Sequence, residues 1–135
     1  MKSERAMVLI GRIMSGIFAI FLLGASIAPK LVGARVATEA MTGLGWPADH
    51  VLMIGIIELA CVVLYLIPRT SILGAVLTMG LLGGAMAAQI RVGNPLFSHI
   101  LFSVYLGLFM WGGLWLRDPQ VRAIFPWRRA TPDAA

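Results

Sequence analysis

Cysteine is almost absent from this chain, where Cys61 stands alone. A single thiol excludes an intramolecular disulfide, a C-x-x-C redox pair and a cysteine-ligated cluster built by this chain. Cys61 lies between Ala60 and Val62 in an apolar run, where a thiol serves as a small hydrophobe. Charge is scarce as well: only 13% of the 135 residues carry one. Histidine occurs at two positions, His50 and His99. No phosphate loop, nucleotide fingerprint or hydrolase motif is present. What the chain has is hydrocarbon, with 59% hydrophobic residues and a mean hydropathy of +0.89. A soluble domain of this size could not bury that much apolar surface, so lipid must be the solvent for much of it. The net charge of +5 would suggest nucleic acid as a partner of a soluble protein. Here the basic residues flank apolar segments, which points to membrane orientation and anionic headgroups and sets nucleic acid aside.

Four apolar segments are long enough to cross a bilayer as helices, which need about 20 residues each. They run over about residues 7–28, 51–67, 72–90 and 96–116, within a single domain of residues 1–118. The fold expected is all-α, an integral membrane four-helix bundle. A cleaved signal peptide competes for the first segment, but the run is long for one and Pro29 would follow the best cleavage point. Arg12 sits inside that first helix and can snorkel to the nearer headgroups or pair with Asp118. Between the first two spans, Leu31, Val32, Val36, Ala40, Met41 and Leu44 recur every three to four residues. That spacing predicts a short amphipathic helix lying on the membrane surface or capping the bundle. Asp49 is placed to cap the second span, and Thr70 or Ser71 the third. Pro68-Arg69-Thr70 forces a tight reversal, and Gly93-Asn94-Pro95 turns the chain again. Residues 119–135 form a basic tail suited to anionic lipid.

Lys2, Arg5, Arg69, Arg117, Arg122, Arg128 and Arg129 fall on the side of the termini, against Lys30, Arg35 and Arg91 on the other. The excess of Lys and Arg places both termini in the cytoplasm, in a bacterial-type inner membrane. In the third span, Gly80, Gly83, Gly84 and Ala88 form a small-residue ridge. In lipid such a ridge lets helices approach closely; the alternative is a groove left open for a lipid or quinone.

Few polar groups lie inside the spans. Reflecting the helices about their turns puts Glu58 and His99 some 7–8 Å apart in height, with Gln89 and Arg91 continuing outward. An intramembrane carboxylate is a functional candidate as a protonated donor, a proton relay or one end of an ion pair. The plain alternative is a structural hydrogen bond that fixes helix register. His50 and His99 lie at heights that would permit bis-histidine haem ligation, but His50 beside Asp49 reads as an ordinary surface histidine. Haem and a metal site of His50, His99 and Glu58 are both disfavoured.

The residues Gly11-Arg12, Pro29-Lys30-Leu31 and Gly55-Ile56-Ile57-Glu58-Leu59 follow one another in a pattern. It continues through Ile67-Pro68-Arg69-Thr70-Ser71, Gly83-Gly84-Ala85, Gln89-Ile90-Arg91 and Trp111-Gly112-Gly113-Leu114-Trp115-Leu116-Arg117-Asp118. In order and spacing this resembles the DoxX-like family of small four-helix membrane proteins, over most of residues 11–118. The resemblance implies a compact membrane bundle. It also implies kinship with subunits linked to thiosulfate:quinone oxidoreduction, with membrane partners of redox-defence proteins and, distantly, with membrane chaperones for receptor assembly. It carries over no catalytic residue. Where some relatives place a histidine at the end of the third helix, this chain has Gln89.

Three readings follow. The first is a non-catalytic subunit or scaffold of a membrane-associated, redox-linked complex, holding a protein partner or a second copy by the glycine face and the segment 30–50. The second is a redox accessory binding a quinone or lipid near Glu58, Gln89, Arg91 and His99. There Glu58 or His99 would exchange protons while Gln89 and Arg91 position the quinone oxygens. The third is an intramembrane enzyme with Glu58 as acid or base, the catalytic candidates being Glu58 and His99. A transporter fits poorly, since four short helices leave little room for a path.

Overall fold

The computed structural model describes residues 1–128, and every regular element among them is helical. Helix α1 runs Lys2–Leu31, a surface helix α2 spans Arg35–Gly43, and α3 runs Ala48–Leu66. Helix α4 covers Ser71–Arg91, α5 covers Leu96–Arg117, and a short α6 covers Pro119–Ile124. Four of these, α1, α3, α4 and α5, are long and apolar enough to cross a membrane. They form a ring in which α1 packs along α5, α5 on α4, α4 on α3, and α3 on the last turns of α1.

The surface confirms the solvent. Ile13, Ile17, Ile20, Leu73, Val76 and Leu108 all point outward and exposed, an apolar coat that water would not tolerate. Inside, Phe18, Leu22, Ile27, Val62, Tyr65, Ala75, Met110 and Leu114 make a small dry core. The ends of α1 and α4 away from the termini are closed by Gly33 and Gly93 at positive φ. Beyond each, a backbone N–H reaches back five residues, Ala34 to Pro29 O and Asn94 to Gln89 O, which satisfies the last carbonyls.

The boundaries differ from expectation in several places. Helix α1 does not stop at Ala28 but continues through Pro29 to Leu31. Proline removes one helical N–H and crowds the carbonyl four residues earlier; the chain answers with a wide turn over Leu23–Ile27, where Ala28 N–H bonds Leu23 O. Leu31 and Val32 therefore belong to the end of α1 and its turn, and the surface helix starts only at Arg35. Asp49 does not cap α3: its carboxylate lies 3.4 Å from His50 Nδ1 instead. Thr70 and Ser71 do not cap α4 either. The Thr70 hydroxyl donates backward to Leu64 O, the carbonyl that Pro68 leaves without an N–H at the end of α3, and the Ser71 hydroxyl donates to Pro68 O.

Nor does Arg12 pair with Asp118. The Asp118 carboxylate accepts from Gln120 N and caps α6. Helix α6 tucks under the end of α5, burying Val121, while Phe125 stacks on Trp111 at 4.8 Å and its carbonyl accepts from Trp115 Nε1. This part of the tail is docked on the bundle; Arg129 and the residues after it lie outside those described.

Candidate functional site

Glu58 lies seven residues into the regular part of α3, and the charge that meets it comes from α1. Helical side chains lean toward the N-terminus of their own helix. The two helices are antiparallel, so Lys30 at the end of α1 leans back toward the bundle centre and Glu58 leans toward the end where Lys30 stands. They meet at 2.8 Å, Lys30 Nζ on Glu58 Oε2, with each side chain only 13% exposed. Ser26, one turn before Lys30, completes the group. Its hydroxyl donates to Glu58 Oε2 at 3.0 Å and accepts from Lys30 Nζ at 2.6 Å.

Two features of the backbone make this meeting happen. The wide turn over Leu23–Ile27 carries Ser26 within it and shifts the residues after it around the helix, which brings Lys30 to the same side toward α3. Gly55, one turn before Glu58, lets the Lys30 stem lie against α3: a Cβ at Gly55 would come within 2.8 Å of Lys30 Cβ. Chemically, the group is a compensated carboxylate. Its charge is matched by an ammonium and a hydroxyl, and any proton exchange at Glu58 has to begin by parting that pair. Beside it, a hollow of about 290 Å³ opens outward between Leu31, Gly33, Thr38, Val51 and Leu52.

The other sequence candidates lie elsewhere. Gln89 accepts from Asn94 Nδ2, and Arg91 donates to Leu44 O, so both fasten turns at the end away from the termini. His99 is exposed and bonds Ser98 at 2.8 Å. Among the described residues no hydrogen bond joins Glu58 to Gln89, Arg91 or His99, and no three His, Cys, Asp or Glu are grouped to hold a metal. The expected packing ridge divides. Ala88 is buried, whereas Gly80, Gly83 and Gly84 are exposed, and a Cβ at any of them would meet no other part of the chain within 4 Å. The reason is that α4 packs inward through the stripe Gly74, Ala75, Thr78, Leu82 and Ala88.

A second polar cluster, not anticipated from the sequence, ties the end nearer the termini. Tyr65 is fully buried; its hydroxyl donates to Met110 O at 2.7 Å and lies 3.0 Å from Ser15 Oγ. Arg117 lies over the Tyr65 ring at 4.8 Å and donates to Tyr65 O at 2.6 Å. Arg122 likewise caps α5 through Trp115 O and Leu116 O, and reaches Glu4 at 3.1 Å. The signal for Lys30 was present in the sequence as two paired spacings, Ser26 to Lys30 and Gly55 to Glu58, each one turn.

A model of the DoxX-like family matches residues 13–113, most of the chain and all of the Ser26–Lys30–Glu58 group. The chain belongs to the DoxX-like family. Comparison with curated proteins and with solved structures gives no match. The four spans and the family together make this DoxX-like chain a multi-pass membrane protein.

Proposed function

We propose that this DoxX-like protein is a non-catalytic subunit or scaffold of a membrane complex, with redox assemblies the first class to examine. One observation carries the reading: α4 turns Gly80, Gly83 and Gly84 away from its own bundle onto a bare outer face. Helix-interior glycines cost stability relative to alanine, and in lipid they repay it by letting another helix come close. The occupant we assign is a transmembrane helix of a partner subunit. The engagement of Glu58 by Lys30 and Ser26 supports the same reading, because it braces α1 against α3.

The proposed setting is a bacterial-type inner membrane with both termini cytoplasmic. Lys2, Arg5, Arg69, Arg117 and Arg122 lie toward one end, and Arg35 and Arg91 toward the other, where Lys30 is neutralised by Glu58. Labelling of Ser3→Cys only after the inner face is opened would support this, and labelling from outside would reverse it.

The complex is tested by native mass spectrometry of the protein released gently from its own membrane at natural abundance. The expected result is a heavier, stoichiometric assembly that Gly84→Leu dissolves while the free protein stays folded. Recovery alone with a small adduct of quinone mass would overturn the scaffold reading in favour of a quinone-binding accessory.

A further inference from the structure

Helix α1 is longer than its neighbours need. Its 30 residues extend about 45 Å, against about 33 Å for the 22 residues of α5. The surplus is at the N-terminal end. Gly11 packs on the backbone of Gly113 and Arg117, so α5 ends level with Gly11, and Lys2–Ile10 project roughly 13 Å beyond it. Arg12 therefore stands at the depth where the bundle gives way to headgroups. Arg12 and Arg5 are both exposed, and neither guanidinium makes a hydrogen bond or ion pair among the described residues. A guanidinium offers five N–H donors, and one at this depth needs an acceptor. Glu4, the nearest acid, is drawn to Arg122.

The two arginines are seven residues apart on one face and border a hollow of about 320 Å³ with Glu4, Val8 and Leu9. Down the same face toward the bilayer centre come Ile13, Gly16 and Ile20, with Leu9 between the two arginines, and a Cβ at Gly16 would meet no other part of the chain within 4 Å. A pair of cations thus stands above an apolar, notched stripe. We propose that this face binds one anionic glycerophospholipid from the leaflet on the side of the termini. Arg5 and Arg12 hold its phosphate, and Ile13, Gly16 and Ile20 seat the first part of an acyl chain. The assignment is independent of the scaffold reading, since it uses the opposite features of a different helix.

The test is native mass spectrometry of the full chain taken from vesicles of equal phosphatidylglycerol and phosphatidylcholine. Wild type should keep phosphatidylglycerol in preference, and R5Q/R12Q should lose that adduct at least fivefold. Arg69→Gln, an exposed arginine on another turn, should leave it unchanged, and Arg12→Lys, which keeps the charge but not the fork, should fall between. Excess inorganic phosphate should not displace the lipid. Equal retention of the two lipids by wild type, full retention by R5Q/R12Q, or displacement by phosphate would overturn the proposal. So would a photocross-linker at position 9 that captures a protein rather than lipid. Should R5Q/R12Q fail to fold, the graded loss in Arg12→Lys still decides.

Discussion

The two ends of helix α1 are held by opposite means. Toward the termini, Gly11 and Gly113 bring α1 and α5 into backbone contact, and on the far side of the bundle Gly74 does the same for α4 against Tyr65. Toward the other surface, α1 meets α3 through Lys30, Ser26 and Glu58 after a turn widened by Pro29. Close packing tolerates no added atom but needs no charge. The ionic junction also needs close approach at Gly55, but what it cannot bear is the loss of one charged partner. In lipid neither can draw on a hydrophobic force between helices, so van der Waals contact and polar pairing have to supply the association.

Substitutions separate the two kinds of junction. The largest effect is expected at Gly74, where a Cβ would lie 2.2 Å from Tyr65 N and 2.6 Å from its Cα. Neither helix backbone can yield, so Gly74→Val should abolish the folded monomer in detergent, read by size exclusion and helical ellipticity. Gly84→Ala, with open space around it, should instead be neutral or stabilise by up to about 1 kcal/mol. If both glycines behaved alike, the assignment of inner and outer faces on α4 would be wrong.

Next comes the ion pair. Glu58→Gln leaves Lys30 buried and uncompensated, and should cost about 3 kcal/mol in reversible unfolding in micelles. The double variant K30M/E58L should recover most of that loss, because the unpaired charge is gone. Additive losses in the two single variants and the double would show that the groups do not act as a pair.

Tyr65→Phe is expected to cost about 1–2 kcal/mol, since it removes the hydroxyl that joins Ser15 to Met110 O but keeps the ring under Arg117. The smallest effect belongs to Glu4→Gln. Its bond to Arg122 is largely solvated on the Glu4 side, and the loss should stay below about 1 kcal/mol. A larger loss would mean that the projecting turns of α1 are structural rather than free to meet lipid.

Much of the architecture was readable because its signals are local. Apolar runs bounded by Pro68 and by Gly93-Asn94-Pro95 fix four helices and their reversals, and the spacing of Val36, Ala40 and Met41 fixes the surface helix. Glu58 was equally legible as an isolated carboxylate in hydrocarbon. Its partner was not. Lys30 stands next to a proline at the start of a 21-residue connection, where a lysine reads as exposed. Only the continuation of α1 through Pro29 turns it inward. Reflecting heights about the short turns compared α3 with α4 and α4 with α5, but the pair that matters is α1 with α3, joined by a connection too long to reflect about.

The glycines make the same point. Composition shows that α4 is built for close approach, and only the packing shows that Gly74 serves the bundle while Gly80, Gly83 and Gly84 face away from it. By itself, then, the sequence determined the solvent, the number of spans and the turns, because hydropathy and backbone stereochemistry act within a few residues. The tertiary structure decided which side chain answers Glu58, which glycines touch and which helix end projects. Those depend on how far each helix is rotated and slid against the next, and a single wide turn is enough to change both.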